Sequence, residues 1–503
     1  MYCVSREICA DTTRTGHALA ATFCNSYKST AGSGQGKLTC MSIFRRLTPL
    51  VLCLFFHTAW AASFDPFATE ALAPLKPSPR LLARVGDMPC STDFPTAPLS
   101  AIDAVDLTLC NNPQTREVWA AARAQAAQVG VAKSALLPDL DGRVTAGRSF
   151  TEAREFNQNT ATLTLSWLLY DFGQRSANIE NAQQLLGAFV ATQDATIQSL
   201  FLSALQSYYT AQAARAAVNS VTLAERSALE SFQAAEGRYK VGVATPADRL
   251  QAQTALSQAT LNRIKAEGEA RNALGSLANV LGFDATLRLN LADIHALPEE
   301  TVFQKDVDAL IEQARLSRPD LKAAEAQLKA AEASIDLARA QGRPTLSLST
   351  GPAWQDVAGV SANTGNVGIT LNLPLFSGFE TAYRVRSAAA TAEVRAAQRD
   401  RIRSQVALDV WKAYQNLSTA TQSLKTTNDL VASAEQSERV ALGRYKAGVG
   451  TVLDLLAAQS ALASARLQRI QAVLDWHVFR ATLAQSMGAL DYTLLQPAAK
   501  GSP

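Results

Sequence analysis

The 503-residue chain is poor in the side chains that carry chemistry. It has four histidines and seven cysteines, and five of those cysteines fall within residues 1–61. His295 and His477 are the histidines beyond that stretch, each without a second ligand at metal-binding spacing. No G-x-S-x-G elbow and no paired Cys/His nucleophile occurs. Gly32-Ser-Gly-Gln-Gly-Lys37 imitates a phosphate-binding loop, but Ala31 and Leu38 stand where that loop needs other residues. The expectation is no catalytic residue, no metal and no cofactor. Apolar runs of about 20 residues are also missing, so no helix is expected to cross a membrane. Excess charge is missing too. Beyond residue 61 there are 41 Lys/Arg against 42 Asp/Glu, a balance that argues against a nucleic-acid partner. With 48% hydrophobic residues there is ample material for a core, which excludes wholesale disorder.

What is present begins with a leader. Met41-Ser-Ile-Phe-Arg45-Arg46 opens a second N-terminus, followed by an apolar run from Leu47 to Phe56 and then Ala59-Trp60-Ala61. A charged start, a short apolar stretch and an A-x-A site read as a secretory signal over 41–61, with 1–40 an upstream extension. Leu52 precedes Cys53, where a lipid-anchor signal needs a small residue. Of the cysteines that remain, Cys90 and Cys110 form an even pair in an oxidising compartment and are a candidate disulfide; two separate buried thiols are the alternative.

One repeat organises the rest. Shifted by 206 residues, the chain matches itself: GRYKVGVATPADRLQAQ from Gly237 pairs with GRYKAGVGTVLDLLAAQ from Gly443, 11 of 17 positions identical. The same offset pairs Pro113 with Pro319, Pro138 with Pro344, Leu165 with Leu371, Tyr208 with Tyr414 and Gly282 with Gly488. Solenoids repeat every 20–50 residues or so, so this is a tandem duplication of a much larger unit. The domains expected are an N-terminal segment 62–98, repeats 99–298 and 299–491, and a tail 492–503.

Each repeat reads as helix, two strands, a very long helix and another helix. The first helix spans about Leu99 to Leu137, interrupted at Asn112-Pro113; its mate spans Phe303 to Gln341, interrupted at Arg318-Pro319. Alternation follows. Leu140, Gly142, Val144, Ala146 and Phe150 share one face, as do Ala161, Leu163, Leu165, Trp167 and Leu169. In the second repeat Leu346 and Leu348, then Val367, Ile369, Leu371 and Leu373, do the same, with Thr, Ser and Asn between. Four strands of about ten residues, apolar on one face and hydroxyl-rich on the other, fit membrane β-strands. Aromatics at their ends (Phe150, Phe156, Trp167, Tyr170, Phe172, Trp354, Phe376, Phe379) fit an interfacial girdle. A soluble sheet with one wet face is the alternative. No proline occurs between Pro138 and Pro246 or between Pro374 and Pro497. Helices from Gln174 to Lys240 and from Tyr383 to Lys446 are therefore expected, each about 100 Å long. They end at Gly242 and Gly448, and new helices start at Thr245 and Thr451 with an acid three residues on. Four strands cannot close a barrel, and an open edge cannot lie in lipid, so two or more copies must assemble.

A duplicated unit of two membrane strands and a giant helical hairpin, secreted and tipped by Tyr-Lys-x-Gly, resembles the TolC family of outer-membrane export ducts over about Leu99 to Leu490. The resemblance implies a membrane α/β fold: a homotrimer with a 12-stranded outer-membrane β-barrel and a long periplasmic α-helical coiled-coil tunnel. It implies no enzyme but a passive, gated duct in a Gram-negative outer membrane. An inner-membrane ABC or proton-driven pump supplies energy, and a periplasmic adaptor docks on the tips, here Val241-Gly242-Val243-Ala244 and Ala447-Gly448-Val449-Gly450. Asp248, Tyr445 and Asp454 match positions of the family's periplasmic constriction. Gly450 and Ala457 stand where the family pattern has an Arg and a second acid, which implies a looser or differently latched gate. Six carboxylates near one axis would make the pore cation-selective. The plain alternative for Asp248 and Asp454 is helix capping alone. The absent lipid anchor, the candidate Cys90–Cys110 bridge and the segment before Leu99 favour the protein-exporting branch, type I secretion of RTX-type toxins and the adenylate cyclase-haemolysin, over small-molecule efflux. The rival of another class is a periplasmic coiled-coil scaffold or adhesin without a pore. A general uptake porin is discouraged by four strands and such long helices.

Overall fold

The computed structural model describes residues 65–73, 98–151, 154–292 and 306–490. The expected signal sequence and upstream extension, Cys90, His295 and the residues beyond 490 lie outside the described residues. After a short turn of helix at Thr69–Leu72, the first repeat runs α1 (Ala101–Asn111), α2 (Pro113–Ser134), β1 (Asp139–Thr151), β2 (Arg154–Tyr170), α3 (Gln174–Lys240) and α4 (Pro246–Val280). The second runs α5 (Val307–Ser317), α6 (Pro319–Ala340), β3 (Thr345–Val357), β4 (Val360–Asn372), α7 (Glu380–Lys446) and α8 (Val452–Ser486). Every helix of the second repeat begins and ends 206 residues after its mate.

Local sequence explains the boundaries. Ser100 caps α1 with Asp103 returning the bond, and Asn112 caps α2 ahead of Pro113, whose missing N–H costs nothing in a first turn. The long helices α3 and α7 are each continuous over 67 residues, about 100 Å. Both start from a residue in the left-handed region, Gly173 and its mate Phe379. Helices of that length hold by lateral packing. Their buried faces are rich in alanine, which lets neighbouring helices approach closely. Larger side chains gather where α1, α3 and α8 meet: Val105, Ile197, Phe201 and Leu205 form one core cluster there. By length and composition alone α3 would pass as a membrane span. Its apolar residues from Ile197 to Leu205 are spent instead on that core.

The four strands form one antiparallel sheet in the order β1-β2-β3-β4, so the two repeats join through β2 and β3. β3 turns into β4 through Ala358-Gly359, both at positive φ, the backbone of a two-residue hairpin loop. Gly351 is required where β2 passes, because a Cβ there would stand 1.8 Å from the Leu163 carbonyl oxygen. The strands have 13, 17, 13 and 13 residues, longer than the ten or so expected. Their extra length is polar, as in Ser361, Asn363 and Thr364 of β4, so the apolar alternation marked only part of each strand. Register places Leu140 opposite Leu165, Gly142 opposite Leu163, Leu346 opposite Leu371 and Leu348 opposite Ile369. This apolar face is bare: Val144 is 81% exposed, Val367 80% and Ile369 68%. Nothing else among the described residues covers it, and hydrocarbon is the solvent that it suits.

Strand gives way to helix through fixed polar contacts. Asp171, buried, accepts bonds from the Gly173 and Arg175 amides, and the Arg175 guanidinium pairs with it at 3.0 Å. The same guanidinium donates to the Leu169 and Ala135 carbonyls, tying β2, α3 and the end of α2 together. Trp167 donates to the Leu136 carbonyl at 3.0 Å, and Tyr170 packs edge-on against Phe172, as Phe376 does against Phe379.

Candidate functional site

The far ends of the two hairpins carry the residues singled out by sequence. α3 ends at Gly242, φ +77°, with the Gly242 amide on the Tyr239 carbonyl and the Val243 amide on Arg238. α7 ends the same way at Gly448, φ +79°, with bonds to Tyr445 and Arg444. Both are Schellman caps, in which glycine takes the left-handed turn without steric cost. The second tip is wound tighter. The Gly450 amide also donates to the Arg444 carbonyl, and a Cβ at 450 would stand 3.0 Å from the Arg444 Cβ. A side chain there would be crowded against the Arg444 and Tyr445 backbone. Val241, Val243 and Val449 are 72%, 71% and 70% exposed, so the tips end in bare apolar surface.

Asp248 and Asp454 sit three residues into reciprocal capping boxes. The Thr245 hydroxyl accepts from the Asp248 amide while the carboxylate takes the Thr245 amide at 3.0 Å, and Thr451 with Asp454 repeats the arrangement. Asp454 is exposed and Asp248 half-buried. Tyr445 lies elsewhere. It is 5% exposed, in an apolar cluster with Ala235, Ala252, Val452 and Leu455 that joins the two hairpins. The three residues matched to the constriction are therefore not in mutual hydrogen-bond contact within one chain.

The residue that does tie the tips together is Arg238. Its guanidinium donates to the Tyr445 carbonyl at 2.8 Å and lies over the Tyr445 ring, 4.5 Å from its centroid. A cation at the carboxyl end of α7 satisfies carbonyls the helix leaves unpaired. In the linear sequence Arg238 is a basic residue in the last turn of its own helix; the cross-hairpin partner has no local signal. Higher along the same junction, Ser231 and Gln459 exchange hydrogen bonds at 3.2 and 3.0 Å.

A second polar feature lies further up the helices, in a cavity of about 380 Å³ lined by Tyr209, Gln212, Leu223, Glu435, Arg466 and His477, among others. Tyr209 and His477 stack there, centroids 4.4 Å apart. Burial, seconded by the Arg480 charge, pushes His477 down to about 4 and keeps it neutral. Burial, with Tyr208 nearby, pushes Tyr209 up to about 12. Among the described residues no group of three or more His, Cys, Asp or Glu is placed to hold a metal ion. Cys110 is disulfide-bonded, and every other cysteine, Cys90 included, lies outside the described residues.

A bare apolar sheet four strands wide, standing on helices about 100 Å long whose tips are bare valine, defines the class: the subunit of an outer-membrane channel with a helical duct beneath it. The chain belongs to the outer membrane efflux protein family, whose description it matches over residues 104–283 and 310–489, one span in each repeat. It is 33% identical over 383 residues to Protein CyaE of Bordetella pertussis, covering 74% of this chain and 80% of that protein. It is 26% identical over 414 residues to the alkaline protease secretion protein AprF of Pseudomonas aeruginosa, covering 78% and 85%. The fold matches the CmeC outer membrane channel of Campylobacter jejuni with a TM-score of 0.72 at 19% identity, over 78% of this chain and 86% of that one. The protein is an outer-membrane channel of a tripartite export system in a Gram-negative bacterium, a transport duct and not an enzyme.

Proposed function

We propose that three copies close a 12-stranded barrel in outer-membrane lipid and continue it as a periplasmic helical tunnel, a passive duct whose cargo is protein exported in one step by an inner-membrane ABC pump. The observation that carries this is the open sheet. Among the described residues β1 and β4 each have one unpaired edge, and unpaired backbone in hydrocarbon is satisfied by another copy's strand. Export of protein rather than small molecules rests on the likeness to Protein CyaE and to the alkaline protease secretion protein, together with the candidate Cys90–Cys110 bridge. A periplasmic adaptor docks on Val241-Gly242-Val243-Ala244 and Ala447-Gly448-Val449-Gly450, where bare apolar surface needs a cover. Asp248, Tyr445 and Asp454 act at the constriction, the two acids as helix caps whose charge also faces the pore.

Single-channel conductance in planar bilayers tests this with protein expressed from Met41. A small cation-selective pore that loses selectivity in the Asp248→Ala/Asp454→Ala double variant is expected. A pore with unchanged selectivity would reduce both acids to caps. No pore and no detergent-stable oligomer would favour a periplasmic scaffold. Co-expression with an ABC pump and its adaptor, followed by assay of a secreted protein against dye efflux, tests the cargo.

A further inference from the structure

Beside the Tyr209–His477 stack the two repeats treat one cation in opposite ways. In the first repeat Arg263 of α4 is held between two carboxylates, Glu225 of α3 and Glu267 one turn along its own helix, each at 2.6 Å. The 206-residue offset carries Arg263 to Arg469, but Glu225 to Val431 and Glu267 to Val473. The cation is kept and both of its partners are gone. Arg469 is exposed and makes no hydrogen bond or ion pair among the described residues. Arg469, Val431 and Val473 all line the cavity of about 380 Å³ between α3, α7 and α8, which has the size of a small-molecule site.

That cavity has a polar level and an apolar end. Along α3 and α8, Tyr209 meets His477 at one height and Ser231 bonds Gln459 at another. Midway between those contacts, Ser220 of α3 stands about level with Arg469. The Ser220 hydroxyl lines the cavity, buried and without a hydrogen-bond partner. Glu435, the acid in the wall, is taken by Arg466 at 2.9 Å, which leaves Arg469 as the open cation. From that level toward the aromatic stack the walls are Ala213 and Ala216 of α3 against Val473 and Leu474 of α8. The rise along α8 from Arg469 to His477 is about 12 Å. His477 is kept uncharged by burial, so the far end holds no charge that a hydrocarbon tail would have to desolvate.

We propose that this cavity binds an amphiphilic carboxylate, its head on Arg469 and Ser220 and its hydrocarbon tail along Val473 and Leu474 toward the Tyr209–His477 stack. The ligand's carboxylate stands in for the two that the second repeat lacks, and a charge-assisted bond to a guanidinium is among the strong ones. The tail gains by leaving water for an apolar wall. Every group involved belongs to one chain, so the site depends neither on the ring of copies nor on the pore. Binding by a protein that conducts nothing would count against the duct and leave the site in place.

Octanoate is the probe, titrated by calorimetry into the full-chain oligomer in detergent, below the concentration at which octanoate itself forms micelles. Saturable binding is expected. It should weaken roughly tenfold or more in Arg469→Gln, and by as much for 1-octanol, which keeps the tail and lacks the charge. Val473→Glu rebuilds the one-turn pairing that Glu267 makes with Arg263, and is expected to abolish octanoate binding while the oligomer stays intact. Ala216→Trp, which fills the apolar end, is expected to do the same. Uptake by detergent is equal for parent and variants, so the difference reports the site. Octanoate binding that survives both Arg469→Gln and Val473→Glu would overturn the proposal. Equal binding of octanoate and 1-octanol would overturn the carboxylate's part in it. An intact oligomer with no saturable binding would overturn it outright, the cavity then being filled by water or by a neighbouring copy.

Discussion

At the start of α2 and of α6 the two repeats solve one problem with different side chains. Asn112 caps α2 through its own oxygen, accepting from the Gln114 amide at 2.9 Å, and its amide donates to the Val280 carbonyl at the end of α4. Its mate Arg318 makes no cap. Its guanidinium reaches Asp320 at 2.6 Å and Asp409 of α7 at 2.9 Å, nearly buried. Burial opposes that charge, but the bonds and charges of the two carboxylates outweigh it and hold the guanidinium's pKa above its ordinary value. The backbones nonetheless agree to the residue. Gly282 and Gly488 occur at the same offset because each passes against the junction, where a Cβ would stand 2.7 Å from the Asn111 carbonyl oxygen or 3.1 Å from the Arg318 backbone. Close backbone approach tolerates one residue type, whereas a buried polar end tolerates any group that finds a partner. The tips teach the same lesson. Glycine and the threonine caps are duplicated, while Phe232 and Leu455, which pack around Tyr445, have Glu438 and Arg249 as their mates.

The comparison can be broken first in the sheet. Leu165→Lys in β2 and Leu371→Lys in β4 should each cost about 2–4 kcal/mol near the bilayer midplane and reduce outer-membrane insertion. Membrane fractionation and urea unfolding measure this, and normal insertion of either variant would show that the two hairpins do not share one lipid face. Acid should act through His477 in the second repeat only, since its mate is Arg271. His477 titrates at about 4 when folded and near 6.5 when unfolded, so the unfolded chain binds the extra proton between those values. Stability is therefore full above pH 6.5 and falls by up to about 3 kcal/mol as pH drops to 4. Thermal melts from pH 7 to 4.5 should show that loss, and His477→Leu should flatten it. At the junctions, Arg318→Met leaves two half-exposed carboxylates unpaired and should cost about 2 kcal/mol, against about 1 for Asn112→Ala. Equal costs in denaturant titrations would mean that the ion pairs add nothing beyond a cap. Smallest of all, Thr245→Ala and Thr451→Ala should each cost about 1 kcal/mol and match each other, because the two boxes have one geometry.

The duplication, the hairpin tips at Gly242 and Gly448, both capping boxes and the apolar strand faces were legible in the linear sequence, because each depends on residues within a few positions of one another or on period-two alternation. The polar halves of the strands were not, since Ser, Asn and Thr look alike in a loop and in a strand beyond the bilayer. Nor was the burial of Tyr445 against the bareness of Tyr239, although both stand in the same Arg-Tyr-Lys run. By itself the sequence determined a twice-built unit, its helix ends and a sheet that wants lipid. Only the tertiary structure decided that Arg238 crosses to the other hairpin, that Ile197 to Leu205 pack as core, and which copy of each repeated residue is covered. Those outcomes depend on partners about 100 to 300 residues away, a distance over which local propensity and spacing carry no information.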